Sequence, residues 1–279
     1  MSFSGFTPFF MPGPAGRLFA VYHSWRPTAE NTFNIVYVPP FAEESNRSRR
    51  MASLQARELA RHGVGVLLLD PFGTGDSEGE FRDATWQTWA CDVEAAVSWL
   101  RDQGSVRNGL WGVRVGGLLA MAVACSLPEI EHVILWNPVI SGRAALRQFL
   151  RIHLAANMGE ATSRQDTKTL RARLESGETI EVAGYAITPA LATSLETAEL
   201  AAFPPASTVK VDWFELVADE EMAPPPAASS MARNWHRKGA QTSLRTCLGE
   251  PFWSLQEITI ATGLIEATSA LFKPECARR

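Results

Sequence analysis

The chain has 279 residues, 46% of them hydrophobic and 20% charged, with a net charge of −4. That length suits one large domain with a real core and room for an insertion, and the acidic balance excludes a global basic field for nucleic acid or anionic lipid. The longest apolar runs, such as Val64 to Leu69, are too short to span a bilayer, so no membrane insertion is expected. Residues 1–14 are rich in Phe and Pro but lack the basic start and continuous apolar stretch of a signal peptide. Cys91, Cys125, Cys247 and Cys276 have neither pairing nor metal-ligating spacing. They read as reduced thiols of a cytoplasmic protein, with no metal and no cofactor expected.

In chain order, Arg17 to Trp25 and Phe33 to Val38 read as strands, the second followed by a loop over residues 39–46. Arg49 to Arg61 reads as a helix with Met51, Leu54 and Leu59 inward, closed by Gly63. The uniformly apolar run Val64 to Leu69 suits a strand buried on both faces of a parallel sheet. It ends in the turn-rich loop Asp70 to Ser77, where Asp70 and Asp76 read as structural. Trp86 to Leu100 is an amphipathic helix. The stretch from Gly109 to Gly117 reads as a strand running into a small-residue helix that ends near Cys125, and Val133 to Trp136 is another buried strand. This β–α alternation with short connections argues for a doubly wound, mostly parallel sheet flanked by helices.

Residues 142–206 break the rhythm. Ala144 to Ala156, Asp166 to Leu174 and Pro189 to Ala201 read as helices, with only a weak strand at Thr179 to Val182. The expected organisation is a core of residues 1–141 and 207–279 with a helical lid over 142–206. Val209 to Val217 resumes as a strand, Ala223 to Ala228 is a Pro/Ala loop, and Ser230 to Lys238 is a helix. Leu244 to Leu248 is the last strand, and Ser254 to Phe272 the last helix, opened by a Ser254/Glu257 capping box.

The frame Gly112-Val113-Arg114-Val115-Gly116 has the spacing of a nucleophile elbow, Gly-x-Ser-x-Gly, but with arginine at the centre. Guanidinium has no lone pair for attack and keeps its proton in proteins. With the element order and the loop Gly73-Thr74-Gly75-Asp76-Ser77, this frame resembles the α/β-hydrolase superfamily. More narrowly, Val38-Pro39-Pro40-Phe41-Ala42-Glu43-Glu44, the stretch Trp136 to Gly142, Ala183-Gly184-Tyr185 and Gly249-Glu250-Pro251-Phe252-Trp253 resemble the exosortase A system-associated hydrolase 2 family. That resemblance implies company with bacterial exopolysaccharide and protein-sorting loci and supplies no substrate.

A triad needs Ser, then an acid, then His, in that chain order. The first position falls on Arg114. Asp219, Glu220 and Glu221 are available for the acid after the strand at 209–217, and Glu250 occupies the expected histidine slot. No histidine follows His236. His62, His132 and His236 read as structural or exposed, and His23 as remote, whereas His153 in the insertion is a ligand-binding candidate. Ser45, Ser141 and Cys125 lack an evident His partner, and an unactivated serine is a weak nucleophile.

Loops at the strand C-termini converge in such a sheet. They would gather Arg114, Glu250, Glu43, Glu44 and Asp219, with Val115 and the region of Phe41 supplying N–H groups. Two readings stay open. In one, Arg114 binds a ligand carboxylate or phosphate while Glu43 or Glu250 acts as general base on water. In the other, Arg114 pairs with Glu250 or Glu44 and fills the site. The first makes an acyl- or anion-bearing small molecule the partner. The second makes the chain a catalytically inactive binding or scaffold partner, as a homodimer or with a pathway protein.

Overall fold

The computed structural model describes residues 5–31, 33–156 and 166–273. β1 (Gly5–Pro12) and β2 (Arg17–Ser24) form an antiparallel hairpin at one edge of the sheet. β1 is absent from the sequence reading because Pro8 and Pro12 argue against a strand; at a sheet edge a missing N–H is tolerated. Then β3 (Phe33–Val38), α1 (Glu43–Arg61), β4 (Val64–Leu69), α2 (Trp86–Asp102), β5 (Asn108–Val113), α3 (Val115–Ser126) and β6 (Ile130–Trp136) alternate. Residues 142–206 hold α4 (Gly142–Ala156), α5 (Thr167–Glu175), the hairpin β7 (Ile180–Val182) and β8 (Tyr185–Ile187), and α6 (Pro189–Thr197). β9 (Lys210–Val217), α7 (Pro226–Arg237), β10 (Gln241–Leu248) and α8 (Thr262–Ser269) complete the chain.

The eight-stranded sheet has the order β1-β2-β4-β3-β5-β6-β9-β10. It is antiparallel through β1, β2 and β4 and parallel from β4 to β10. This is the mostly parallel, helix-flanked sheet expected from the apolar strands. Its interior strands are buried on both faces: every residue of β3 and β5 is buried. On one face α1 and α8 cover Ile35, Trp111, Trp136 and Phe214; on the other, α2 and α3 cover Val36, Leu67, Leu110 and Val133. Trp136 Nε1 donates to Thr268 Oγ1 at 3.0 Å and ties α8 to the sheet.

Four local expectations are corrected. α1 starts at Glu43, not Arg49, so Glu43 and Glu44 occupy its first turn, where a carboxylate is favoured by the helix dipole. α7 absorbs part of the Pro/Ala stretch, with Pro at its start, where the missing N–H costs nothing. The last helix begins at Thr262, and the Ser254/Glu257 capping box does not form. Ser254 Oγ donates instead to the Pro251 carbonyl, and the Ser254 carbonyl accepts from Arg47 Nη1 at 2.7 Å. The β-branched run Ile258-Thr259-Ile260 also disfavours a helix there. His132 is not exposed: it lies inside β6, with Nε2 2.8 Å from the fully buried Asp212.

Candidate functional site

Three neighbouring strands, β3, β5 and β6, lead into the same end of the sheet, and each is followed by a non-glycine residue with positive φ. Ala42 heads α1 at φ 51° and ψ −127°. Arg114 heads α3 at φ 54° and ψ −119°. Asn137 follows β6 at φ 42°. The fourth such residue among those described, Ala183 (φ 50°), is in the β7–β8 turn and lines the same cavity. L-residues adopt this region at a cost of about 1–3 kcal/mol each, and such strain gathers at functional sites. Arg114 and Ala183 line one cavity, Ala42 directly precedes the Glu43 and Glu44 that line it, and the Asn137 carbonyl accepts from Arg114.

The elbow glycines are explained by close approach. A Cβ on Gly112 would stand 2.4 Å from the Gly116 carbonyl oxygen, and one on Gly116 would stand 2.3 Å from the carbonyl oxygens of Val38 and Pro39. The tight strand-to-helix turn and its contact with the β3–α1 loop therefore need both positions bare. At the head of α3, the Gly117 N–H is bonded back to the Arg114 carbonyl, which leaves the Val115 and Gly116 N–H groups outside the helical ladder.

Arg114 lines a cavity of about 510 Å³ with Phe41, Glu44, Val139, Phe149 and Trp253. That volume falls within the range of small-molecule sites. The guanidinium lies 5.1 Å from the Trp253 ring centroid, Nη1 donates to the Asn137 carbonyl at 3.3 Å, and Nε is 3.5 Å from Glu44 Oε2. Nε is shut off from solvent and makes no hydrogen bond. The ion pair is therefore loose, although both side chains are largely buried, 17% and 26% exposed. Burial raises the Glu44 pKa, and the Arg114 charge pulls it part of the way back. Glu43 also lines the cavity and pairs with Arg47 at 3.2 Å.

Two candidates do not reach Arg114. Glu250 is exposed, so the Arg114–Glu250 pairing does not form; the loop after β10 sends Trp253 to Arg114 instead. Asp219 is exposed too, and its Oδ1 accepts the Glu221 N–H at 3.0 Å within a surface turn. The chain turns away two residues beyond β9, which leaves Asp219, Glu220 and Glu221 in solvent. Phe41 and Val115 line the cavity. His153 lies in α4, and its side chain is outside the described residues. Ser141 Oγ donates to Glu199 Oε1 at 2.7 Å, and Cys125 is exposed.

Sequence reasoning missed Glu215, Asn137 and Trp253. Glu215, only 7% exposed on β9, accepts from Trp213 Nε1 and Asn137 Nδ2, both at 2.7 Å. Burial raises its pKa, against the pull of these donors and of the Arg114 charge. The Asn137 side-chain Oδ1 in turn accepts the Leu216 N–H at 3.0 Å while its backbone carbonyl accepts from Arg114, so β6, β9 and Arg114 meet at one residue. The available signals were an acid inside an apolar strand and an Asn-Pro at a strand end. Chemically, the site brings together a guanidinium, an adjacent carboxylate and apolar walls, with no paired nucleophile and base among the described residues.

Residues 21–206 match the family model of the X-Pro dipeptidyl-peptidase (S15 family). Among curated proteins, thiohydrolase aneE of Aspergillus aculeatus is 34% identical over 89 residues, 30% of this chain and 28% of that protein. The polyketide transferase grgF of a Penicillium species is 33% identical over 89 residues, 30% of each chain. The chain thus spans under a third of these two relatives. Among solved structures, Est1E of Butyrivibrio proteoclasticus with bound ferulic acid superposes with a TM-score of 0.64 at 18% identity, over 95% of this chain and 96% of that one. XC6422 of Xanthomonas campestris, a serine hydrolase without a lid, gives 0.58 at 16% identity, over 96% and 92%. Such distant likeness carries the fold, and the family model covers well over half the chain: the chain belongs to the X-Pro dipeptidyl-peptidase (S15) family and has the α/β-hydrolase fold.

Proposed function

We infer that the chain takes an acyl- or anion-bearing small molecule into the cavity at Arg114, with residues 142–206 as its cover, and that arginine stands where hydrolases of this fold carry serine. The observation that carries this reading is the open 510 Å³ cavity around a guanidinium whose Nε has no hydrogen bond. A site closed by a structural salt bridge would have a tight pair and no such space. Hydrolysis in this geometry uses water. The Glu44 carboxylate takes a proton from water as its oxygen bonds to the acyl carbon, and Arg114 with the Val115 N–H stabilises the oxyanion. The tetrahedral intermediate then expels the alcohol or thiol, which takes the proton from Glu44. The setting is the bacterial cytoplasm, beside the exopolysaccharide and sorting functions implied by the family resemblance.

The test is a hydrolysis screen on short and long acyl esters and thioesters, beside Arg114→Ala and Glu44→Gln. Turnover abolished by both changes, with folding intact, supports a non-serine hydrolase. No turnover in any lane, with both variants losing thermal stability, makes the protein an inactive binding or scaffold partner of the same pathway.

A further inference from the structure

Among the described residues, the charged groups facing the cavity are few. α1 contributes Glu43, Glu44 and Arg47, the β5–α3 turn contributes Arg114, and β9 places Glu215 behind Asn137. α4 brings the neutral Gln148, and the loop after β10 brings Trp253 and Ser254. Most of these are already satisfied. Arg47 bonds Glu43 and the Ser254 carbonyl, and Glu215 holds two short hydrogen bonds. Arg114 and Glu44 are not. A guanidinium has five N–H donors, and Arg114 uses one, at 3.3 Å. Glu44 Oε2 stands 3.5 Å from Nε, which has no hydrogen bond.

We propose that the site binds a monocarboxylic acid with an apolar chain, the carboxylate on the Arg114 fork and the chain along Phe41, Val139, Phe149 and Trp253, with Glu44 taking up one proton as the ligand enters. This rests on the Arg114 cavity being a ligand site and names what it holds. Planar guanidinium and carboxylate match in bidentate geometry, which the spare donors of Arg114 allow. The four walls are apolar, and α1 and α3 both turn their N-terminal ends to the same place. A second carboxylate beside Glu44 leaves two anions on one cation in a largely desolvated space. Two carboxylates sharing a site cannot both ionise freely, so one holds a proton. That proton makes Glu44 a donor to the ligand oxygen, whereas without it the two repel.

The experiment is titration calorimetry on the full chain with butanoate, hexanoate, octanoate and methyl octanoate. It is run from pH 6 to 8 in two buffers of different ionisation heat, with ester turnover followed separately. The expected affinity rises about fourfold per methylene. Near pH 8, close to one proton is taken up per octanoate, and affinity falls about tenfold per pH unit. Glu44→Gln removes both the proton uptake and the pH dependence, and Arg114→Ala removes binding. If Arg114→Ala does not fold, the Glu44→Gln comparison alone decides. Octanoate binding without proton uptake, or with uptake unchanged in Glu44→Gln, overturns the proposal. Methyl octanoate binding or turnover that depends on Arg114, with no octanoate binding, overturns it while leaving the ligand site standing. No binding of either compound and no turnover removes both.

Discussion

Replacing Arg114 by glycine and by alanine separates the backbone of the elbow from its side chain. Both changes remove the guanidinium, its 3.5 Å pair with Glu44, its bond to the Asn137 carbonyl and its contact with Trp253. Only glycine also relieves φ 54° and ψ −119°. The strain is worth about 1–3 kcal/mol. Against it stands the extra entropy of a glycine in the unfolded chain, about 0.4–1 kcal/mol. The difference leaves the glycine variant about 0.5–2 kcal/mol more stable than the alanine variant. Near the midpoint, a chain of this size shifts by roughly 2–4 °C per kcal/mol, so thermal melts resolve the gap. Ala42→Gly, with φ 51° and ψ −127°, is expected to gain a similar amount over wild type, and no side-chain contact is lost there beyond a methyl group. Equal melting of the Arg114→Gly and Arg114→Ala variants would refute the strained-elbow argument.

Other consequences follow from the packing and the buried charges. Gly116→Ala puts a Cβ 2.3 Å from two carbonyl oxygens and is expected to cost about 1–3 kcal/mol by denaturant melt, with the α3 head displaced from the cavity. Asp92 is fully buried, accepts the Phe72 N–H at 2.8 Å through Oδ2, leaves Oδ1 without a partner, and is pushed up to about 6 by burial. Because its folded pKa exceeds the unfolded value, the native state binds more protons between about pH 4 and 6, so stability falls as pH rises through that window. The loss reaches about 3 kcal/mol at most from this group. Asp92→Asn should flatten that slope in melts taken from pH 4 to 7, and an unchanged slope would count against it. Asp212→Ala strips the partner from His132, Ser243 and Lys210 together and is expected to cost on the order of 3 kcal/mol.

Much of the fold was legible because its signals are local. Val64 to Leu69 is apolar throughout and is a strand buried in a parallel sheet, and Gly112, Gly116 and Gly117 sit where strand and helix must nearly touch. The hairpin edge was hidden because Pro8 and Pro12 obey a rule that holds for interior strands. At the site, Arg114 was legible from the glycine frame alone. Its partner was not, because Glu44 and Glu250 are both acidic, one in the first turn of α1 and the other on the loop after β10. The choice depended on where α1 begins and on a β10–α8 loop that puts Trp253 inward and Glu250 outward. Glu215 and Asn137 were hidden for a related reason. Each acts through a side-chain bond to a residue 78 positions away in sequence, which no periodicity reports.

The space beside Arg114 either receives a ligand or is closed by its own ion pair. A crystal structure grown with octanoate tests this most directly. Carboxylate density is expected within hydrogen-bond distance of the Arg114 guanidinium, with the chain against Phe149 and Trp253. A cavity without ligand, closed by a bidentate Arg114–Glu44 pair, would contradict it.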